Sequence, residues 1–211
     1  MPARFPETEL PKLNDLLLVY EWSQQLFIAK INIIHQDLMH FRDSNPIEHI
    51  KGRIKSPESI AGKLERLGLE VTAENAKEYI KDIAGIRIIC PFAGDIHGLV
   101  EIINSVPDLK VYEQKDYITN PKPSGYRSYH MIMGVPVFYS GKEEDIPVEV
   151  QIRTASMDFW ASMEHKVRYK YNERVPKHLS DELVICAEKI AELDKRMSLI
   201  QEIVSLINEQ D

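Results

Sequence analysis

The chain has 211 residues, 44% of them hydrophobic and 28% charged, with a formal net charge of −7. That balance excludes a disordered chain and argues against a protein that coats nucleic acid through a broad basic surface. No apolar run approaches the roughly 20 residues of a membrane helix, Met1 to Glu7 hold no apolar signal core, and two cysteines without a CxxC or a spaced Cys/His set argue against structural zinc.

The expected setting is a reducing cytoplasm with Cys90 and Cys186 both buried. Residues 8–42 read as a long helix, since Leu13, Leu16, Leu17, Tyr20, Phe27, Ile31, Ile34 and Leu38 recur at helical spacing. Asn45-Pro46 breaks that pattern. Ser56 as N-cap and Pro57 at the first position open a second helix that stops at Gly68. Thr72 caps a third, expected to run to about Asp82. Ala84-Gly85 leads into an apolar strand from Ile86 to Cys90, followed by a helix over 95–106 and a strand near 109–117. Pro121, Pro123 and Gly125 force a loop. Strands follow over 128–135 and 147–153, joined through a solvated hairpin at 140–145. Helices over 154–172 and 180–208 finish the chain. The expected fold is α/β (α+β): one domain over 1–211, a mixed sheet flanked by helices, its core at about 45–172.

Charge is uneven along the chain. Lys51 to Arg66 carry a net +3, and Lys177 to Asp211 a net −4. A local cationic patch on an acidic protein points to a small polyanion. On the second helix Ile60, Leu64 and Leu67 make one stripe, while Ser56, Ser59, Lys63 and Arg66 make another. Any one lysine there reads as a solvated face. The set reads as a phosphate site, because the free N–H groups and dipole of the helix N-terminus lie beside Arg53 and Lys55.

The strand 147–153 alternates strictly. Val148, Val150 and Ile152 face one side, Glu149, Gln151 and Arg153 the other. Asp82 at the end of a helix opposes the helix dipole, which marks it as a functional candidate. Arg87 on an apolar strand needs an anion or an aromatic face. Asp82 and Glu149 are the best pair of carboxylates for a Mg²⁺ that also holds substrate phosphates. In the loop 122–130, Lys122 and Arg127 supply charge, Gly125 permits close backbone approach, and Tyr126 offers a flat face, which together suit a nucleotide. His130 is either a ligand contact or a satisfied core histidine. No P-loop, GxGxxG, nucleophile elbow or Ser/His/Asp set is present.

The ordered set GRIKSPES (52–59), DIAGIRIIC (82–90), PKPSGYRSYH (121–130) and EVQIRT with FWASMEHK (149–154, 159–166) resembles the synthetase domain of the RelA/SpoT family, and the length resembles its stand-alone small alarmone synthetases. The resemblance implies a nucleotidyltransferase-like fold and transfer of pyrophosphate from ATP to the 3′-OH of GDP or GTP, giving ppGpp or pppGpp. It implies that Asp82 and Glu149 hold Mg²⁺ and that Glu149 is the general base. Arg53 and Arg87 would sandwich adenine, and Lys55, Ser59, Lys63 and Arg66 would bind ATP phosphates. Tyr126 would stack on guanine, Lys122 and His130 would meet the acceptor phosphates with Arg127 beside them, Gln151 would approach the ribose, and Asp158 and Glu164 the guanine. None of the seven histidines is followed by Asp, so the His-Asp hydrolase motif is absent. Small members assemble as homotetramers through helices like the two long flanks. Glu48-His49-Ile50 replaces the aromatic that product-activated members carry after Asn-Pro, which resembles the RelP-like subgroup.

Three rival readings stand beside this one: a catalytically silent nucleotide-binding regulator, a nucleotidyltransferase of another kind, and an RNA-binding module. Intact Asp82 and Glu149 oppose the first. Net charge and the lack of aromatic-basic repeats oppose the third, although the cleft of a small tetramer leaves room for single-stranded RNA.

Overall fold

The computed structural model describes residues 4–41, 44–171 and 174–208. A short 3-10 turn, Glu7–Glu9, leads into α1 (Leu10–Phe41). Then come β1 (His49–Ile54), α2 (Pro57–Arg66), α3 (Ala73–Tyr79), β2 (Ala84–Cys90), α4 (Gly94–Asn104), β3 (Lys110–Asp116), β4 (Tyr129–Tyr139), β5 (Lys142–Thr154), α5 (Ala155–Lys170) and α6 (Lys177–Asn208). The expected helix ends at Arg42 and Asn172 lie outside the described residues. No described helix is long and apolar enough to cross a membrane.

The five strands form one mixed sheet in the order β1-β2-β5-β4-β3. β2 and β5 run parallel, and the other three pairings are antiparallel. The strict alternation of β5 is realised. Val148, Val150 and Ile152 are fully buried beside Ile86, Ile88, Met131, Met133 and Val135. α1 packs on this apolar side. Its Gln24 amide donates to the Gly85 carbonyl at 3.1 Å. Gly52 makes that approach possible, because a Cβ there would lie 2.6 Å from the Gln24 side chain.

The register lays two polar rows across the opposite face. One runs Lys51, Arg87, Gln151, His130, Lys115, and the other Arg53, Gly85, Glu149, Ile132, Glu113.

Several expectations need correction. No element was expected between Asn45-Pro46 and Ser56, where β1 lies. Its sequence HIKGRI carries charges at alternate positions and a glycine, and β2 recruits it as an edge strand. α3 stops at Tyr79, so Asp82 lies in the turn before β2 and not on a helix. The β4–β5 hairpin is longer and its turn tighter than 140–145. Only Ser140 and Gly141 separate the strands, both at positive φ (49° and 78°), the two-residue turn whose twist matches antiparallel strands. Leu67, expected to pack with Ile60 and Leu64, is exposed. Cys90 is buried as expected, but Cys186 is exposed on α6.

α6 is fastened behind the loop that carries Tyr126. Trp160 Nε1 donates to the Leu183 carbonyl at 2.8 Å, and Arg127 Nη1 to the Ala187 carbonyl at 3.2 Å. Asp194 accepts from Thr154 Oγ1 (2.8 Å) and Ser156 Oγ (2.6 Å). Gly125 is the point of closest approach. It has φ +89°, and a Cβ there would sit 2.6 Å from the Ala187 Cβ. Gly141 has a similar φ with open space around it. Gly125→Ala is therefore expected to destabilise by roughly 2–3 kcal/mol in urea denaturation, and Gly141→Ala by only about 1 kcal/mol. Equal losses would show that α6 is not seated against the loop.

Candidate active site

The polar face carries two cavities. The first, about 350 Å³, is lined by Lys51, Arg53 and Lys55 from β1 and the residue after it, Asp82 from the turn, Gly85 and Arg87 from β2, and Glu149 and Gln151 from β5. The second, about 240 Å³, is lined by Glu113, Lys115, Tyr117, Lys122, His130, Ile132 and again Glu149. Glu149 stands on the strand between them, so one carboxylate borders both.

In the first cavity Asp82 is clasped by two lysines, Lys55 Nζ at 2.6 Å and Lys63 Nζ at 2.9 Å. Burial alone would raise this carboxyl, but the two ammonium groups more than reverse that and hold it below the ordinary carboxylate range. Lys63 reaches it from α2, so the cationic stripe of that helix is aimed at the cavity. Ser59 lies in the cap, where its N–H donates to Ser56 Oγ at 3.3 Å and the two hydroxyls are 3.0 Å apart. Arg66 is exposed, one turn beyond Lys63. Arg87 pairs with Asp158 at 3.0 Å, and among the described residues its buried Nε has no hydrogen-bond partner. Arg53 and Arg87 share the cavity wall, as two guanidinium planes around a base would require.

In the second cavity the Lys122 ammonium lies 4.6 Å from the centroid of Tyr117 and 4.8 Å from that of Tyr126. Tyr117, Glu113 and Lys115 border the cavity and were missed from sequence. They belong to or follow an edge strand with six of its seven residues exposed, which shows no alternation to read. The signal that could have found them is register: Lys115 lies opposite His130, the residue singled out on β4. Tyr126 is held by its hydroxyl, which contacts His130 Nε2 (2.7 Å) and Arg153 Nη2 (2.5 Å). Gln151 Nε2 donates to Glu149 Oε2 at 2.8 Å. Asp158 lies between Arg87 and Arg153. Two expected acceptor contacts are engaged elsewhere. Arg127 bonds α6, and Glu164 pairs with Arg168 one turn along α5.

Asp82 and Glu149 are the residues that could hold a divalent cation. Among the described residues no group of three or more His, Cys, Asp and Glu side chains is placed to cage a metal. Two carboxylates on one cavity wall fit a hard cation that keeps water and arrives with phosphate oxygens, which is the habit of Mg²⁺.

Burial first, then the charges of Arg153, Lys122 and Lys115, push His130 down to about 4. Its 3.7 Å approach to Glu149 is therefore no ion pair at neutral pH. A group with a depressed folded pKa that must gain charge on protonation costs stability as pH falls from the unfolded value near 6.5 toward 4. We expect the His130 ring signals in a proton NMR titration to move with a midpoint near 4. We also expect His130→Gln to lose less stability than the parent between pH 6.5 and 4. A midpoint near 6.5 would mean that the ring is solvated.

Comparison with known proteins agrees with this geometry. The family described as the region found in RelA / SpoT proteins matches residues 52–174. The GTP pyrophosphokinase YwaC of Bacillus subtilis is 48% identical over 191 residues, covering 90% of this chain and 91% of that protein. The crystal structure of small alarmone synthetase 2 from Bacillus subtilis superposes with a TM-score of 0.82 at 46% identity, covering 90% of this chain and 97% of the other. Small alarmone synthetase 1 from the same organism, bound to its product pppGpp, superposes with a TM-score of 0.83 at 35% identity, covering 92% and 98%. The matched stretch begins midway along β1 and ends beyond α5, so it takes in β2 to β5 and every residue lining the two cavities except Lys51, and the chain belongs to the RelA/SpoT family.

Proposed function

We propose that this protein is a GTP pyrophosphokinase that makes (p)ppGpp: it moves pyrophosphate from ATP to the ribose 3′-OH of GDP or GTP and releases AMP, with no hydrolase activity. The observation that carries this reading is Glu149, which borders a cationic cavity on one side and an aromatic, lysine-bearing cavity on the other. A group transferred between two bound nucleotides must pass between them, and a base must stand where the attacking hydroxyl meets the donor phosphate.

The residues then take these roles. Arg53 and Arg87 hold adenine. Lys55, Lys63 and the start of α2 with Ser59 hold the donor phosphates, and Arg66 extends that charge. The acceptor lies in the second cavity with guanine on Tyr126, after the Lys122 ammonium leaves the ring for the acceptor phosphates. His130, neutral, borders the acceptor phosphates, and Gln151 faces the ribose. The 3′-oxygen attacks the β-phosphorus, the bond from that phosphorus to the oxygen bridging to the α-phosphorus breaks, AMP departs, and the hydroxyl proton passes to Glu149. Asp82 and Glu149 would hold Mg²⁺, which when bound neutralises charge on the transferred phosphates. The product-bound structure of small alarmone synthetase 1 and the name of the YwaC relative support this assignment.

We further propose cytoplasmic homotetramers assembled through α1 and α6. Exposed Leu18, Trp22 and Leu26 on α1, and Met197, Ile200 and Ile203 on α6, are the apolar surface such assembly would cover.

The test is incubation with ATP, Mg²⁺ and either GDP or GTP, with products resolved by anion exchange. AMP together with a more highly charged guanosine species is expected. Intact ATP with both nucleotides bound would identify a silent binder. Glu149→Gln is expected to lower turnover by at least roughly a hundredfold while nucleotide affinities stay within about threefold. Unchanged turnover would remove Glu149 from the mechanism. Tyr126→Ala is expected to raise the acceptor KM by the roughly 1–3 kcal/mol of base stacking and leave the ATP KM unchanged. An effect on ATP instead would reverse the two sites.

A further inference from the structure

Arg153 is 4% exposed, although burial disfavours its charge. Its guanidinium is divided between two kinds of partner. Nε donates to Ser128 Oγ at 3.3 Å, and Nη1 to Asp158 at 3.2 Å. Those bonds satisfy a buried cation and need no further explanation. Nη2 donates instead to Tyr126 Oη at 2.5 Å and to Gln151 Oε1. Both of these lead to Glu149. Through Gln151, the amide nitrogen donates to Glu149 Oε2. Through Tyr126, the hydroxyl accepts from Arg153 and lies 2.7 Å from His130 Nε2. With the hydroxyl as donor to that nitrogen, the neutral ring carries its proton on Nδ1, the nitrogen 3.7 Å from Glu149 Oε1. Five side chains, Glu149 among them, thus form a ring closed by hydrogen bonds everywhere except this last gap.

We infer that Arg153 is a positioning residue for the transfer: through Gln151 and through Tyr126 and His130, its Nη2 sets the direction of both Glu149 oxygens between the donor and acceptor cavities. This rests on Glu149 being the base. A lysine at 153 could stay beside Asp158, but a single ammonium lacks the planar fork that serves Ser128, Asp158, Tyr126 and Gln151 together. The Gln151 arm passes its bond directly to the carboxylate. The Tyr126 arm fixes which nitrogen of His130 carries the proton.

The test is a double-mutant cycle with Arg153→Lys and Tyr126→Phe, the second of which keeps the aromatic ring. Steady-state kinetics are run against both nucleotides, with thermal melts as a check on folding. We expect kcat to fall roughly thirtyfold in Arg153→Lys and tenfold in Tyr126→Phe. The double variant is expected to be no more than about threefold below Arg153→Lys alone, because the two substitutions break one path. Both KM values are expected to stay within about threefold. A multiplicative loss in the double variant, or losses confined to KM, would overturn the inference. If Arg153→Lys does not fold, an unchanged kcat in Tyr126→Phe overturns it alone, and a lowered kcat at constant KM sustains it. Glu149→Gln assayed alongside separates the two levels. If that variant keeps its turnover, the assignment of the base has failed. If it loses turnover while the cycle is multiplicative, only the role of Arg153 has failed.

Discussion

The parallel pairing of β2 with β5 is the constraint on which the site depends. Gly85 lies opposite Glu149 and Arg87 opposite Gln151, while Ile86 and Ile88 meet Val150 and Ile152 on the other face. The pleat repeats every two residues, so a slip of one position would bury Glu149 and expose the valines. The cost of exposing fully buried Val148, Val150 and Ile152 therefore also fixes where the Glu149 carboxylate points. Core packing and site geometry are settled by the same register.

Charge on that face is handled by sharing. Asp82 serves two lysines, Asp158 serves two arginines, and Arg153 serves Ser128, Asp158, Tyr126 and Gln151. Each of these groups is partly or wholly withdrawn from water, where an unpaired charge is costly and a paired one is held in a defined direction. The Arg87–Asp158–Arg153 chain also joins the wall of the first cavity to the Tyr126 hydroxyl, through one α5 carboxylate.

Much of this was legible in the chain. The alternation of 147–153, the Ser56-Pro57 cap and the apolar β2 segment are local patterns, and each took the expected form. β1 was not legible, because a strand whose outward positions are Lys51 and Arg53 and whose centre is Gly52 has no propensity of its own and is formed by its neighbour. The strand holding Lys115 was expected, but Tyr117 and Lys115 were not singled out, because six of its seven residues are exposed and no alternation marks which of them face the site. Arg127 looked like a ligand residue from its motif, but its carbonyl partner on α6 lies 60 residues away in sequence. Arg153 was legible as a polar-face residue. Its near-complete burial and forked partners appear only when α5, the Tyr126 loop and β5 converge.

The strand order has a further consequence, for the time at which activity can exist. β5 is the last strand in the chain and the middle strand of the sheet. The β4–β5 hairpin closes through a two-residue turn and needs only local contacts, whereas β2 meets β5 only by closing a long loop that contains α4, β3 and β4. A chain still emerging from the ribosome before β5 holds Asp82 and Arg87 but lacks Glu149 and the strand between the two cavities. The two-cavity face is therefore complete only in molecules whose whole sheet has formed.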